Sequence, residues 1–247
     1  MLYSDVVLLS LKQKGRLEER GLSNSRYFTF RASSPYDISR SVSVKNITKT
    51  PMPTVAIVYF SGAGHTHLMA QAIAEGALKV EDTTVELLRI TGEQIVNGRW
   101  KNDQGLANLN QVDAIVFGSP TYMGGVAAQF KAFIDASSEV WFRHGWKDKI
   151  AAGFTHSSSP SGDKQGTLLY LATNAAQHGM IWVNVGDLQS FLSGKDDGVN
   201  RLGGFLGVMG QTQLDMSGKE AVLDPGDYLT SLRFGERIAE ATKRWVK

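Results

Sequence analysis

The 247-residue chain contains no cysteine. Disulfide frameworks, thiolate-bound zinc, iron–sulfur clusters and cysteine nucleophiles are all excluded by that absence. Proline is scarce, at 6 residues against 26 glycines, and the chain is 42% hydrophobic and 20% charged. This is the balance of a globular protein, not of a disordered or fibrous one. No apolar run approaches the roughly 18 residues that a membrane-spanning helix requires. Met1–Leu11 has no basic segment ahead of its short apolar stretch, so neither membrane insertion nor a signal peptide is expected, and the expected location is cytoplasmic. The nucleophile elbow G-x-S-x-G is also missing, because Gly118-Ser119-Pro120 lacks glycine at the required spacing, which argues against a hydrolase.

What is present divides unevenly. The net charge of +2 conceals nine Lys/Arg against four Asp/Glu in residues 1–51, a balance of +5, and leaves about −3 for the remainder. The basic residues of the first segment are scattered among nine serines, unlike the dense basic runs that bind nucleic acid, so no nucleic-acid partner is expected. Its Ser- and Arg-rich composition approaches a transit peptide, although Glu18, Glu19 and Asp37 weaken that reading. Met52 stands immediately before the first strong strand. Residues 1–51 therefore read as a poorly ordered N-terminal extension, and residues 52–247 as one folded domain, within the one to two domains that a chain of this length suggests.

From Thr54 the pattern is regular. Val55 to Phe60 is unbroken apolar and β-branched, as in a strand buried on both faces. After a glycine turn, Leu68, Met69, Ala72, Ile73, Gly76 and Ala77 recur at helical spacing. Further strands are expected near Thr84–Ile90, Ala114–Ser119, Ile150–Thr155 and Met180–Val185. Val126, Phe130, Phe133 and Ile134 share a helix face, as do Tyr228, Leu232, Gly235 and Ala239 in a last helix whose start Pro225 and Asp227 mark. Alternation of strands and helices predicts a doubly wound α/β fold: a five-stranded parallel sheet in a three-layer sandwich. Asn97–Asn110 and Asp187–Gly218 read as loops. Ligands of such folds bind at the carboxyl ends of the strands.

Three loops at those ends carry the chemistry. Ser61-Gly62-Ala63-Gly64-His65-Thr66 joins a buried strand to a helix, offering backbone N–H groups and two hydroxyls to a phosphate. An ordinary tight turn is the alternative. His67 stands where the dinucleotide fingerprint needs its third glycine, and no Gly-Lys-Ser/Thr follows, so a mononucleotide fits better than NAD or ATP. Pro120-Thr121-Tyr122-Met123-Gly124 offers flat apolar surface and backbone donors to a heteroaromatic ring, or else simply starts a helix. The hydroxyl-rich run Ser157-Ser158-Ser159, followed by Pro160 and Gly162, could bond a ring or ribityl chain, but alone it says little. Trp141 reads as core, interface or a stacking platform. His178, before Gly179 at a helix end, reads first as a capping histidine. His65 and His67, without a carboxylate or thiol nearby in sequence, do not make a metal site.

Together the segments VAIVYFSGAGHT, GSPTYMGGVAAQFKAFID with VW beyond it, GFTHSSSPSGDKQGT, QHGM and RFGERIAE resemble the flavodoxin-like superfamily, and within it the NAD(P)H:quinone oxidoreductases of the WrbA type. The resemblance runs from Thr54 to Val246. It implies bound FMN, with Ser61, Gly62, Ala63, Gly64, His65 and Thr66 around the phosphate. It further implies Pro120, Thr121, Tyr122, Met123 and Gly124 along the isoalloxazine, and Ser157, Ser158, Ser159 and Gly162 on the third side. Trp141 matches the family's substrate-contacting tryptophan, and His178 a histidine that reaches the flavin from a neighbouring subunit region; these two are the expected catalytic residues. Ala63 replaces a common aromatic residue, Tyr122 stands where Arg is frequent, and the third loop has Pro160 and about one extra residue.

The resulting expectation is an enzyme that passes hydride from NAD(P)H through FMN to a quinone, as a homodimer or homotetramer, with no metal. A flavin reductase that releases reduced FMN, a flavodoxin-type electron carrier and a non-catalytic module are the alternatives. A carrier usually has a strongly acidic docking surface, which a body charge near −3 does not supply.

Overall fold

In the first strand of the main sheet, successive residues feed two different cores. Val55, Ile57 and Tyr59 pack with Met69, Ile73, Phe234 and Ile238 on one face. Ala56, Val58 and Phe60 pack with Leu109, Phe130, Phe133, Leu168 and Leu171 on the other. A strand apolar on both faces thus has helices on both sides, which is the three-layer arrangement expected of a parallel sheet.

The computed structural model describes residues 16–22, 25–31, 52–213, 217 and 220–246. Its elements in chain order are β1 (Arg16–Leu22), β2 (Ser25–Arg31), β3 (Thr54–Phe60), α1 (His65–Leu78), β4 (Thr84–Ile90), β5 (Ile95–Val96), β6 (Arg99–Trp100), α2 (Asp103–Gln111), β7 (Ala114–Tyr122) and β8 (Gly125–Val126). They continue with α3 (Ala128–Ala136), α4 (Ser138–Phe142), β9 (Ile150–Ser157), α5 (Lys164–Gln177), β10 (Ile181–Trp182), β11 (Val208–Gln211) and α6 (Pro225–Trp245). Chain contacts separate Met1–Thr50 from Pro51–Lys247. In the first unit β1 and β2 pair antiparallel, Arg16 opposite Arg31; the expectation of poor order in residues 1–51 otherwise concerns residues outside the described ones.

In the second unit the sheet order is β10-β9-β7-β3-β4, with every neighbouring pair on that path parallel. The order reverses between β3 and β7, the kind of switch point where doubly wound folds hold ligands. The fifth position differs from the expected Met180–Val185. Only Ile181 and Trp182 pair, with Ile150 and Ala151, and β11 then takes over the same edge, Val208 opposite Phe154 through Gln211 opposite Ser157. The excursion between them leaves and rejoins one edge of one strand. The stretch 97–110 is also not all loop, because α2 occupies Asp103–Gln111, its start capped by the Asn102 side chain accepting from the Gly105 N–H at 2.8 Å. Proline at the first turn and the Asp224 cap start α6 where Pro225 and Asp227 placed it.

Candidate functional site

Strand β3 delivers the chain to Ser61 at the carboxyl edge, and the turn 61–64 ends in Gly64 at φ 92, a conformation that side chains disfavour. A Cβ at Gly64 would lie 2.8 Å from the Ala221 Cβ. The N-cap of α1 is Gly64, which has no side chain to offer, so apart from the His67 N–H the first N–H groups are left at the positive end of the helix dipole. Ser61 and Thr66 are both buried. The Ser61 hydroxyl accepts from the His67 N–H at 3.2 Å.

The two imidazoles of this turn diverge. His65 stacks on His156 with ring centroids 4.5 Å apart and planes within 6°, tying the first loop to the third. His67 turns to Tyr59, whose hydroxyl lies 2.6 Å from Nδ1. Burial lowers the pKa of both, the Arg89 charge adding to the effect at His67. Burial also lowers His156 to about 3, helped by His65, Lys164 and Arg201. All three imidazoles are therefore neutral near pH 7, and the cation nearest the loop is Arg89 of β4, whose guanidinium donates to the Ser61 carbonyl at 3.4 Å. Sequence reasoning found no charge for this loop. Arg89 is brought by the pairing of β3 with β4, and the only sign of it is a long basic side chain one residue before the end of an expected strand.

The second loop is shorter than the sequence suggested. Strand β7 runs on through Pro120, Thr121 and Tyr122, then reverses into β8. Met123 and Gly124 make the reversal with φ 49 and φ 78, the two positive values of a tight hairpin turn. Met123 is fully exposed at its tip. The Thr121 hydroxyl faces inward, 2.8 Å from both Thr155 Oγ1 and Thr167 Oγ1. The Tyr122 hydroxyl lies against the Cα of Gly62, in the space that a Cβ there would need, so the second loop touches the first.

The third loop, 157–163, is held from within. Lys164 donates to Ser157 Oγ, and to the Ser159 and Pro160 carbonyls. From outside, Gln211 Nε2 donates to the Ser158 carbonyl at 2.8 Å. The buried Asp227 grips the Arg201 guanidinium through both oxygens, at 2.8 and 2.7 Å, and accepts from the Gln211 N–H. Neither Lys164 nor this ion pair was anticipated from the sequence.

The structure thus brings Ser61, Gly62, Ala63, Gly64, His65 and Thr66 together with Tyr122, Met123 and Gly124 and with the loop of Ser157, Ser158, Ser159 and Gly162. It does not bring Trp141 or His178 to them. Helix α5 leads from the third loop back along β9 for 14 residues, about 21 Å, and His178 follows its last turn. His178 is buried there, its Nε2 3.1 Å from Ser137 Oγ and its ring 4.4 Å from that of Trp146. Its Nδ1 has no hydrogen-bond partner, and burial lowers its pKa to about 4. Trp141 lies on α4, between α3 and the amino end of β9, 43% exposed beside an 80%-exposed Phe142. Both residues therefore sit at the amino end of the sheet, opposite the three loops.

The sequence matches the profile of the NADPH-dependent FMN reductase family over residues 55–190. The chain belongs to this family. Within it the likeness is to the WrbA type: a flavodoxin, WrbA-like protein of Agrobacterium tumefaciens superposes with a TM-score of 0.60 at 38% identity, covering 78% of this chain and 98% of that one. Flavodoxin FldP of Pseudomonas aeruginosa is 40% identical over 76% of this chain and 96% of its own length. An NAD(P)H dehydrogenase (quinone) of Azorhizobium caulinodans is 34% identical over 54% of this chain and 71% of its own. The family is one of flavodoxin-like oxidoreductases that use FMN with NAD(P)H.

The residues present suit FMN. A phosphate needs donors and no adjacent carboxylate, and the first loop offers the N–H groups at the start of α1, hydroxyls and the nearby Arg89. An aromatic ring needs backbone donors and apolar surface beside it, and the hairpin supplies an exposed Met123 and a half-exposed Tyr122 next to the first loop. A groove of about 900 Å³ between β10 and α6 lies away from these loops and is lined by Trp182, Arg233, Arg237 and Trp245 among others. Among the described residues no helix is long and apolar enough to cross a membrane.

Proposed function

We propose that this chain is an FMN-dependent oxidoreductase that transfers hydride from NAD(P)H to a quinone. The observation that carries the reading is the convergence of three loops, from β3, β7 and β9, on the switch point of the sheet, one of them ending at a helix start whose N-cap is a glycine. FMN, when bound, supplies the two-electron chemistry. The chain's own part is positional and electrostatic. The first loop, Ser61 to Thr66, holds the phosphate with N–H groups and the helix dipole. Pro120, Thr121, Tyr122, Met123 and Gly124 line the ring through the hairpin, and Ser157, Ser158, Ser159 and Gly162 close the third side. Backbone donors there favour negative charge developing on the ring.

Trp141 and His178 enter this reading only through a second copy, since their own cradle is at the other end of the sheet. A homodimer or homotetramer in which α4 of one subunit covers the loops of the next would place Trp141 against substrate. The folded unit is residues 52–247, working in the cytoplasm. NADH or NADPH added anaerobically to the purified flavoprotein should bleach its visible bands, and a benzoquinone should restore them; a protein that neither carries nor takes up FMN overturns the reading.

The likeness to FldP favours one second reading, a flavodoxin-type carrier. Steady turnover with NAD(P)H and quinone alone, with no partner protein, separates the enzyme from the carrier.

A further inference from the structure

Lys164 opens α5, yet it has no exposed surface. Lysine is almost never buried in this way unless paired, and the acceptors of this ammonium are not carboxylates. Nζ donates to Ser157 Oγ at 3.0 Å, to the Ser159 carbonyl at 2.7 Å and to the Pro160 carbonyl at 2.9 Å. An ammonium has three N–H donors, so the set is complete, and every acceptor belongs to the same loop. Ser157 Oγ itself donates to the Ser159 carbonyl at 3.1 Å, which cross-links two of the acceptors. The Gln211 contact apart, the loop has little else to shape it. Gly162 and Asp163 leave it at φ 54 and φ 53, and no side chain caps α5.

We propose that Lys164 is a positioning residue for the flavin: its ammonium turns the carbonyls of the third loop inward and so presents the opposite edge of that loop to the ligand. The inference rests on the flavin reading of the three loops. In a trans peptide the N–H points away from the preceding carbonyl. Drawing the Pro160 carbonyl onto Nζ therefore directs the Ser161 N–H away from it. Two carbonyl oxygens, which would repel an electron-rich ring edge, are withdrawn at the same time. A neutral amine cannot do this for three acceptors, because it keeps only two N–H groups and gains a lone pair.

The surroundings set when the ammonium is charged. Burial lowers its pKa to about 8; Arg201, from the excursion between β10 and β11, acts in the same direction, and Asp227 of α6 opposes. His156 of β9 is neutral across this range, in part because of the Lys164 charge. In the free protein the pin is thus in place below about pH 8 and lost above it. FMN that binds only the pinned loop must draw in a proton at higher pH, weakening its apparent affinity by up to about tenfold per pH unit.

The test is FMN titration of the flavin-free full-length chain, followed by quenching of flavin fluorescence, between about pH 7 and about pH 9.5. The expected wild-type Kd is level up to about pH 8 and rises above it. Lys164→Met should raise Kd about tenfold or more at pH 7, as for loss of charge-assisted hydrogen bonds, and should flatten the profile. The wild-type profile decides the matter even if the variant does not fold. A Kd for folded Lys164→Met within about twofold of wild type, or a wild-type Kd level across the whole range, overturns the role of Lys164 while leaving the flavin reading intact. A wild-type chain that binds no FMN at any pH overturns that reading, and this inference with it.

Discussion

The two ends of the sheet solve opposite problems with similar residue types. At the carboxyl end, polar side chains are committed to loop backbone: Lys164 to the Ser159 and Pro160 carbonyls, Gln211 to the Ser158 carbonyl, Arg89 to the Ser61 carbonyl. At the amino end Lys149 likewise donates to the Asn110 and Val112 carbonyls, but the histidine is packed away. His178 lies under Trp146 with one ring nitrogen on Ser137 and the other unpartnered, while Trp141 and Phe142 stand in the open. The first end gathers three loops, and the second leaves two aromatic side chains exposed. A residue's similarity to a family's active-site residue therefore does not place it in the active site of its own chain.

Truncating the amino end should cost stability first. Trp146 is fully buried against Phe117, Phe133 and His178, so Trp146→Ala is expected to lose about 3–5 kcal/mol in chemical denaturation, with FMN affinity of the remaining folded protein unchanged. A parallel fall in affinity would mean that the ends are not independent.

Acid should act on the same end. With His178 at about 4 in the folded chain and an ordinary value near 6.5 when unfolded, the neutral ring favours the fold above pH 6.5. As pH drops from there to about 4 the unfolded state binds the proton first, and about 3 kcal/mol is lost. His156, lowered for the same reason, steepens the slope. Denaturation midpoints of wild type and His178→Gln between pH 7 and about 4 should converge as the medium becomes acid; equal slopes would show that burial of His178 does not matter to the fold.

At the carboxyl end Gly64→Val forces a side chain into φ 92 and against Ala221. The strain, of order 1–3 kcal/mol, falls on the phosphate loop, so FMN Kd should rise by tenfold or more, measured by the same fluorescence quenching, with a smaller effect on the melting temperature. The finest test joins the two ends. If a second copy supplies Trp141, a mixture of Gly64→Val and Trp141→Ala chains, each slow alone, should regain quinone reductase activity after subunit exchange, because an intact cradle then meets an intact tryptophan. No gain on mixing would remove Trp141 from the site.

Much of this architecture was legible in the sequence because apolar patterning encodes it. Val55 to Phe60 could only be a strand covered on both faces, and the three loops follow from strand direction. Patterning failed where few apolar residues are involved: α2 buries little besides Leu109, and β11 contributes Val208, Met209, Gly210 and Gln211 from a glycine-rich stretch. Lys164 and Arg89 were invisible for another reason. A charged residue reads as solvated until its acceptors are known, and here they are largely carbonyl oxygens, which every sequence contains and none advertises. Trp141 and His178 were found by type, but the end of the sheet they occupy depends on counting the helices between.

The divided fifth position bears on how the chain reaches this fold. Ile181 and Trp182 can join β9 as soon as α5 has formed, whereas β11 must wait for about 25 residues of intervening chain to loop back to the same edge. The carboxyl half of β9, with Ser157 at its end, thus owes its edge to that closure. The edge beside the third loop is therefore lent by a distant segment, so a break in the excursion would uncover the carboxyl half of β9 while leaving Ile181 and Trp182 paired.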